Sequence, residues 1–245
     1  MKDSGNTILI TGGGSGIGLA LATFFAEKNN RVIITGRNAD KLREACQKHP
    51  RISAIPCDVS RRENLERLVL QLEREYSDLN VLINNAAVQH NYDLTRESLP
   101  FPRIEEEIAV NFEAVVNLST LLLPLLCAKE EAAIVNLTSG LAFTPKENAA
   151  VYCATKAAVH SFTTALRYQL EGSPVRVFEL IPPLVETAMT HGRGSGKITP
   201  AEVAAAFGRA WTADQYTVSV GKIKVLRLLL RWMPGIMRAK IRKSD

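Results

Sequence analysis

A tyrosine and a lysine stand four positions apart in the stretch NAAVYCATKAAVH, residues 148–160. Its small and apolar residues predict a helix, on which Tyr152 and Lys156 project from one face, one turn apart. A free tyrosine has a pKa of about 10, and a nearby ammonium is expected to lower it by stabilising the phenolate. The pair can then exchange a proton with an alcohol or carbonyl oxygen, although this spacing is also common by chance.

Two more polar side chains are candidates for the same chemistry. Ser139 follows a predicted strand in NLTSG, where its hydroxyl can hold a substrate oxygen on which charge develops. Asn111 lies within a predicted helical stretch, although asparagine is a mediocre helix former. By itself, Asn111 is equally well interpreted as a surface amide or a local turn.

A glycine-rich loop, TGGGSGIG at residues 11–18, follows the first predicted strand. Its spacing is G-x-x-x-G-x-G rather than G-x-G-x-x-G. Glycines permit positive φ and a close approach of the backbone to a pyrophosphate, and the helix that follows adds its positive N-terminal end. Such a loop can also be only a turn, but its place after the first strand favours a dinucleotide site. The predicted cofactor contacts are Gly12, Ser15, Gly16, Ile17 and Gly18.

The second predicted strand ends in TGRN, and residues at this position are expected to distinguish NAD from NADP. Gly36 stands where an acidic residue would bind a ribose 2′-hydroxyl, and Arg37 follows it. A guanidinium favours a 2′-phosphate, so the sequence predicts NADP, with NAD as the alternative. The other interpretation of Arg37 is a solvated surface arginine.

Two further motifs follow predicted strands and complete the set of cofactor contacts. Asp58 and Val59 in CDVS can meet the adenine end, although capping is an equally good role for Asp58. Asn84, Asn85 and Ala86 in NNA follow the fourth strand and can line the cofactor groove.

Predicted strands and helices alternate along the chain. Ser60 and Glu63 are expected to form a capping box at the start of the third helix, and Thr199 caps a later one. Continuously apolar strands that alternate with helices predict an α/β fold, in which a doubly wound, Rossmann-type parallel sheet lies between two layers of helices. These three α/β/α layers are expected to form a single domain, 1–245. The predicted strands are 7–11, 31–35, 52–55, 81–84, 132–137, 175–180 and 216–220. The predicted helices are about 17–28, 39–48, 60–76, 105–126 and 148–171, with another from 199.

Composition excludes several classes of protein. With 245 residues, 46% hydrophobic and 22% charged, the chain can bury a core without disulfides or a structural metal. Four cysteines form no CxxC pair and four histidines no HxxxH, so we expect reduced thiols and no metal site. The N-terminus lacks a signal-peptide profile, and the apolar run 118–128 is too short for a bilayer. We therefore expect a cytoplasmic protein.

The net charge of +5 comes largely from the C-terminal segment 221–245. Leu226, Leu229, Leu230 and Met233 fall at helical spacing there, which predicts a basic amphipathic helix. Such a helix can lie on anionic lipid or bind a partner. We favour packing against its own protein or a second subunit, and expect no nucleic-acid binding. The basic residues are Lys222, Lys224, Arg227, Arg231, Arg238, Lys240, Arg242 and Lys243, and the single acid is Asp245.

Jointly, these motifs resemble the short-chain dehydrogenases/reductases, in the single-domain branch, from residue 7 to about 190. The resemblance implies a catalytic tetrad of Asn111, Ser139, Tyr152 and Lys156. Tyr152 would be the general acid/base and Ser139 would position the carbonyl. Lys156 would lower the pKa of Tyr152 and hold the nicotinamide ribose, and Asn111 would hold a water of the proton relay. Val185 and Thr187 fit the pattern that contacts the carboxamide, although Pro183 replaces the usual glycine.

The resemblance implies NAD(P)-dependent hydride transfer with a small-molecule alcohol or carbonyl substrate, and a homodimer or homotetramer. The loop 188–197 is either a mobile lid or an ordinary loop. Arg193 and Lys197 are expected near an anionic substrate, and His90, Tyr92 and Phe143 in its pocket. The alternative function is a catalytically weak nucleotide-binding scaffold or sensor, attached to a membrane or partner through the basic segment.

Overall fold

The computed structural model describes residues 1–96 and 100–242. All its named strands belong to one sheet of the order β3-β2-β1-β4-β5-β6-β7, and all their pairings are parallel. The strands are β1 (Thr7–Thr11), β2 (Arg31–Gly36), β3 (Ile52–Pro56), β4 (Val81–Asn84), β5 (Ala132–Leu137), β6 (Val175–Ile181) and β7 (Thr217–Ser219). The helices are α1 (Gly16–Glu27), α2 (Ala39–Lys48), α3 (Arg62–Glu75), α4 (Phe101–Ile108), α5 (Ala114–Cys127), α6 (Ala150–Gln169), α7 (Pro200–Thr212), α8 (Ile223–Trp232) and α9 (Pro234–Arg242).

Two apolar layers cover the two faces of the sheet. On one face, Phe25 of α1 packs edge-to-face against Phe207 and Trp211 of α7. On the other face, leucines of α3, α5 and α6 form a second buried cluster. The predicted doubly wound, three-layer α/β sheet is therefore confirmed. The strand order reverses between β1 and β4, so their carboxyl ends border a crevice in which such sheets bind ligands.

Two predictions about local structure have different outcomes. The capping box at Thr199 is confirmed, since the Glu202 amide donates to the Thr199 hydroxyl at 3.2 Å. The capping box at Ser60 is wrong, because α3 is preceded by Arg61 as its cap residue. The Ser60 amide and hydroxyl instead donate to Oδ1 of Asp58 at 3.1 and 2.7 Å, in a turn that competes with capping.

The helix predicted over 105–126 is longer and less regular than expected. It begins at Phe101, and a π-helical segment at Ala109–Glu113 separates α4 from α5. The continuous stretch Phe101–Cys127 has 27 residues and contains an 18-residue window with a mean hydropathy of 1.6, so it has the length and composition to cross a membrane. Leu118, Leu122 and Leu126 nevertheless lie in the core beside the sheet, as in the core helix of a globular domain.

The basic segment forms two helices rather than the single helix that was predicted. Helix α8 ends at Trp232, and α9 begins at Pro234, which has no amide hydrogen to continue α8. The predicted apolar face is also partly wrong, because Met233 is exposed whereas Ile223 is buried. Lys243 and Asp245 lie outside the described residues.

Candidate active site

The glycine loop joins β1 to α1 in a conformation that requires glycine. Gly12 and Gly16 have φ values of +65° and +55°. A Cβ atom at Gly18 would lie 2.4 Å from the carbonyl oxygen of Gly12, which no side chain tolerates. Ser15 precedes α1 without a side-chain cap, so the first amides of α1 keep their hydrogens for a ligand. This loop fits a pyrophosphate group, which helix N-termini attract.

Asn85 fixes this loop to the end of β4. Its side-chain amide donates to the carbonyl oxygens of Thr11 and Gly12 at 2.8 and 3.1 Å. In return, the Thr11 hydroxyl accepts from the amides of Asn85 and Ala86, both at 3.0 Å. Asn85 lines the groove, as expected for the NNA motif, but its hold on the glycine loop was not predicted. Alternation along the strand was the available signal, because neighbours on a strand point to opposite faces.

Asn84 lies away from the groove, in contrast to the expectation that it lines it. Its amide donates to Oδ1 of Asn136 at 2.8 Å and to the Ser119 hydroxyl at 3.1 Å. Asn136 in turn donates to the Thr163 hydroxyl at 2.9 Å. This buried network ties β4 and β5 to α5 and α6. Asn84 therefore supports the sheet beneath the site, and its contacts do not support a role in cofactor binding.

A groove of about 340 Å³ runs from the end of β2, past the glycine loop, to α6. Its lining includes the glycine loop, Tyr152 and Lys156. The predicted residues that line it are Gly12, Ser15, Gly16, Ile17, Arg37, Asp58, Val59, Ala86, Tyr152, Lys156 and Thr187. Lys41, Cys57, Pro182 and Met189 also line it and were missed in the sequence. Gly18 lies beneath the loop, and Val185 lies in the apolar core.

The end of the groove near β2 is rich in charge. The guanidinium of Arg37 lies 2.7 Å from the carboxylate of Glu106, which also contacts the His90 ring at 2.8 Å. These two partners, Arg37 first, lower the pKa of Glu106. Lys41 adds a second positive side chain, and no acidic side chain occupies positions 36–38. Asp58 lines the groove, whereas its predicted alternative role as a helix cap is wrong, because its Oδ1 accepts from Ser60 and Arg61 is the cap residue of α3.

Tyr152 and Ser139 meet at the other end of the groove. The Tyr152 side chain is buried and lies beside Ser139, whose hydroxyl accepts from the Leu141 amide at 3.1 Å. Burial raises the pKa of Tyr152 to about 12, and the interaction with Ser139 offsets only part of this. The phenol is therefore protonated at neutral pH in this structure.

Lys156 is close to Tyr152, but its ammonium is directed elsewhere. Its Nζ donates to the Leu137 carbonyl at 2.9 Å and lies 5.9 Å from the centroid of the Tyr152 ring. Burial lowers the pKa of Lys156 to about 8. The effect of Lys156 on the acidity of Tyr152 stays a prediction: in this structure the ammonium faces the Leu137 carbonyl, and burial is the largest influence on the pKa of the phenol.

Asn111 occupies the π-helical segment between α4 and α5 and is fully buried. Its Oδ1 accepts from the Val88 amide, and its Nδ2 donates to the Val88 carbonyl, both at 2.8 Å. The same Nδ2 contacts the Thr155 hydroxyl at 3.3 Å. A π-helical turn of this kind often marks a functional site. The interpretation as a surface amide is thus excluded, and Asn111 holds the loop after β4 beside α6.

Several residues expected around the substrate have other partners. Buried Glu107, which was missed in the sequence, accepts from the His90 amide at 2.9 Å and from the Tyr92 hydroxyl at 2.8 Å. Arg193 reaches across to Asn91 at 3.3 Å, and its positive charge acts to lower the pKa of Tyr152. Glu107 and Arg193 therefore act on the phenol of Tyr152 with opposite signs, the carboxylate raising its pKa and the guanidinium lowering it.

The loop 188–197 carries local order of its own. It begins with a single 3₁₀ turn, Ala188–Thr190, and Lys197 donates to the Thr190 carbonyl at 2.5 Å. The ammonium of Lys197 is thus used within the loop. Phe143 packs against His160 at a centroid distance of 4.8 Å, and it does not line the groove.

Comparison with known proteins agrees with this geometry. The family model described as short chain dehydrogenase matches residues 6–197. The uncharacterized oxidoreductase DltE of Bacillus subtilis is 48% identical over 189 residues, which cover 77% of this chain and 75% of that protein. A short chain dehydrogenase from Burkholderia cenocepacia, solved with NADP, has a TM-score of 0.87 at 24% identity, covering 98% of this chain and 99% of that chain. A relative from Burkholderia phymatum, solved with NAD, has a TM-score of 0.87 at 19% identity, covering 100% and 98%. The chain belongs to the short-chain dehydrogenase family.

Proposed function

We propose that this protein is an NADP-preferring oxidoreductase that interconverts an alcohol and a carbonyl compound, with Tyr152 as general acid/base. One observation carries the proposal. The Tyr152 side chain, which lies beside Ser139, lines the same groove as the glycine loop. The proton-transfer group and a dinucleotide site therefore share one cavity.

The preference for NADP is supported by the charge around the end of β2. Arg37 and Lys41 both line the groove there, and Gly36 stands where NAD enzymes of this type carry an acid. The solved structures of family members contain NADP in one case and NAD in another, so NAD remains the alternative. A 2′-phosphate would draw Arg37 away from Glu106, because phosphate binds a guanidinium through two oxygens.

Each catalytic side chain has a distinct task in this proposal. Ser139 donates to the substrate carbonyl oxygen and places it beside Tyr152. Tyr152 gives its proton to that oxygen during reduction and takes one back during oxidation. The bound nicotinamide supplies or accepts the hydride and, when oxidised, adds a positive charge that favours the phenolate. Lys156 would hold the nicotinamide ribose, and Asn111 holds the loop after β4 that borders the site.

Tyr152→Phe tests the proposal, with Tyr168→Phe as the matched control. Tyr168 lies on the same helix but is 73% exposed and far from the groove. We expect Tyr152→Phe to lower kcat by about a hundredfold or more while NADPH affinity is kept, since only the proton transfer is removed. The assay combines NADPH titration by fluorescence with turnover on a panel of ketones, aldehydes and secondary alcohols.

The scaffold alternative makes the opposite prediction in the same assay. If wild-type protein binds NADPH but turns over no substrate of the panel, and Tyr152→Phe changes nothing, the enzyme proposal fails. Loss of NADPH binding in Tyr152→Phe would contradict the separation of roles between Tyr152 and the glycine loop.

We also propose a homodimer or homotetramer built on the outward faces of α5 and α6. Tyr168 is exposed there, and Leu123 and Phe162 are only partly buried. Apolar and aromatic side chains on neighbouring helices are typical of subunit interfaces. Light scattering coupled to size-exclusion chromatography measures the mass directly, and a monomer at micromolar concentration would contradict this assembly.

A further inference from the structure

Helix α8 is fixed to the body of the protein through one face. Ile223 is buried, and its Cδ1 lies only 2.6 Å from where a Cβ atom at Gly140 would be. Arg227 donates to the Ser219 hydroxyl at 3.1 Å and places its guanidinium 5.1 Å from the centre of the Phe143 ring. Because Gly140 directly follows Ser139, this inner face rests beside the catalytic end of the groove.

The opposite face of α8 is apolar and open to solvent. Val225, Leu228 and Trp232 are 58%, 59% and 75% exposed. At about 100° per residue these three side chains fall within an arc of roughly 60°, approximately opposite Ile223. Ile236 of α9, 65% exposed, extends the apolar surface beyond the break between the helices. A contiguous patch of this kind on a protein surface marks an interaction site.

Positive charge surrounds this outer face. Lys224 and Arg231 lie on α8, and Arg238 and Lys240 lie on α9. No aspartate or glutamate occurs from residue 221 to residue 242. An exposed tryptophan beside lysines and arginines has the composition of a helix that lies in a membrane interface.

We propose that the outer face of α8, with the start of α9, docks on an anionic lipid bilayer. The apolar side chains would enter the boundary between headgroups and acyl chains, and the cations would contact the lipid phosphates. A second copy of the chain fits less well, since a two-fold contact through this face would bring lysines and arginines together without an acid between them. Docking would place Gly140, which follows Ser139 and contacts α8, on the side of the protein that faces the membrane.

Flotation of the full-length protein with vesicles tests the proposal. The vesicles are phosphatidylcholine alone or with about one third phosphatidylglycerol, in about 0.1 M salt. We expect binding to the anionic vesicles only. Leu228→Ser with Trp232→Ser should weaken this binding about tenfold or more, because two apolar side chains no longer leave water. Lys224→Glu with Arg231→Glu should weaken it by at least about tenfold, and more salt should release the wild-type protein.

Leu70→Ser is the matched control, because Leu70 is 65% exposed on the distant helix α3 and should leave vesicle binding unchanged. NADPH titration and circular dichroism show that each variant is folded. Absence of wild-type binding to anionic vesicles overturns the proposal, as does binding that survives both double substitutions. A dimer that dissociates in the Leu228→Ser/Trp232→Ser variant, without vesicle binding, would assign the face to a second copy instead.

Discussion

The guanidinium of Arg37 and the carboxylate of Glu106 form an ion pair, 2.7 Å apart, at the edge of the proposed cofactor groove. Arg37 follows β2, and Glu106 lies on α4, so two separate parts of the chain meet there. Glu106 also contacts His90. A cofactor 2′-phosphate therefore has to compete with Glu106 for the guanidinium of Arg37.

Replacing Glu106 with glutamine is expected to tighten NADPH binding about two- to fivefold and to leave NADH binding unchanged. The substitution removes a competing carboxylate that is about one third exposed, and the contribution of such a surface ion pair is modest in water. Arg37→Gln should have the opposite effect and weaken NADPH binding about tenfold, through the lost phosphate contact. Fluorescence titration with both cofactors measures all four affinities.

Arg43→Gln is the matched control for Arg37, since Arg43 pairs with Asp40 on the exposed side of α2 and does not line the groove. Equal losses of NADPH and NADH affinity in Arg37→Gln would contradict a role in reading the 2′-phosphate. The double variant completes the cycle: the gain from Glu106→Gln should vanish when Arg37 is absent.

Gly18→Ala is expected to disrupt the glycine loop without touching the cofactor. The new methyl group would lie 2.4 Å from both the Gly12 carbonyl oxygen and the Asn85 amide nitrogen, so the loop has to move. We expect NADPH affinity to fall about tenfold or more and the free energy of unfolding to fall by about 1–3 kcal/mol. Fluorescence titration and urea unfolding measure the two effects.

Gly235→Ala provides the comparison, because a Cβ atom there meets nothing within 4 Å. That variant should keep both the cofactor affinity and the stability of the wild-type protein. A Gly18→Ala variant with unchanged affinity would show that the loop tolerates displacement, which contradicts its proposed role as a rigid phosphate cradle.

Periodicity and strand-end motifs were sufficient to predict the sheet, because each strand is a short apolar run and each glycine or polar motif follows one. Competition between local hydrogen bonds and helix caps, and the exact ends of the helices, were not predictable. Asp58 captures Ser60 two residues later, so the expected cap of α3 is lost. Pro234 divides the basic segment, although a helical spacing of leucines runs up to it.

The direction of side chains was the other limit on prediction from the sequence. Asn84 and Asn85 are adjacent and identical, yet one joins a buried network and the other holds the glycine loop. The spacing of Tyr152 and Lys156 correctly placed both on the groove. The spacing could not predict that the Lys156 ammonium donates to the Leu137 carbonyl, since that carbonyl belongs to β5 and not to the same helix.

Lys156 is expected to make the stability of the protein rise with pH. Burial lowers its pKa from 10.5 to about 8, so between these values the unfolded chain binds the extra proton and the folded one does not. The free energy of unfolding therefore increases with pH over this window. Below about pH 8 the folded protein carries the buried ammonium, and the full cost of burying that charge reduces its stability. Tyr152 acts above it: its raised pKa makes stability fall with pH from about 10 upward.

Lys156→Met should flatten the rise between about pH 8 and 10, because no ammonium has to be deprotonated on folding. Urea unfolding at several pH values measures the slope. Lys41→Met replaces an exposed lysine and should keep the wild-type slope. If Lys156→Met retains the wild-type slope, the burial of the ammonium is not its cause.

Glu107→Gln is expected to move the pH profile of alcohol oxidation to lower pH. The carboxylate of Glu107 is among the charges that raise the pKa of Tyr152, so its neutralisation should make the phenol easier to ionise. The glutamine retains one acceptor oxygen for two donors, the His90 amide and the Tyr92 hydroxyl, so a stability loss of about 1–3 kcal/mol is expected as well. Glu106→Gln, one residue away, is the control that should leave the profile in place. A profile that moves to higher pH, or that moves equally in both variants, would show that Glu107 does not act on Tyr152 through its charge.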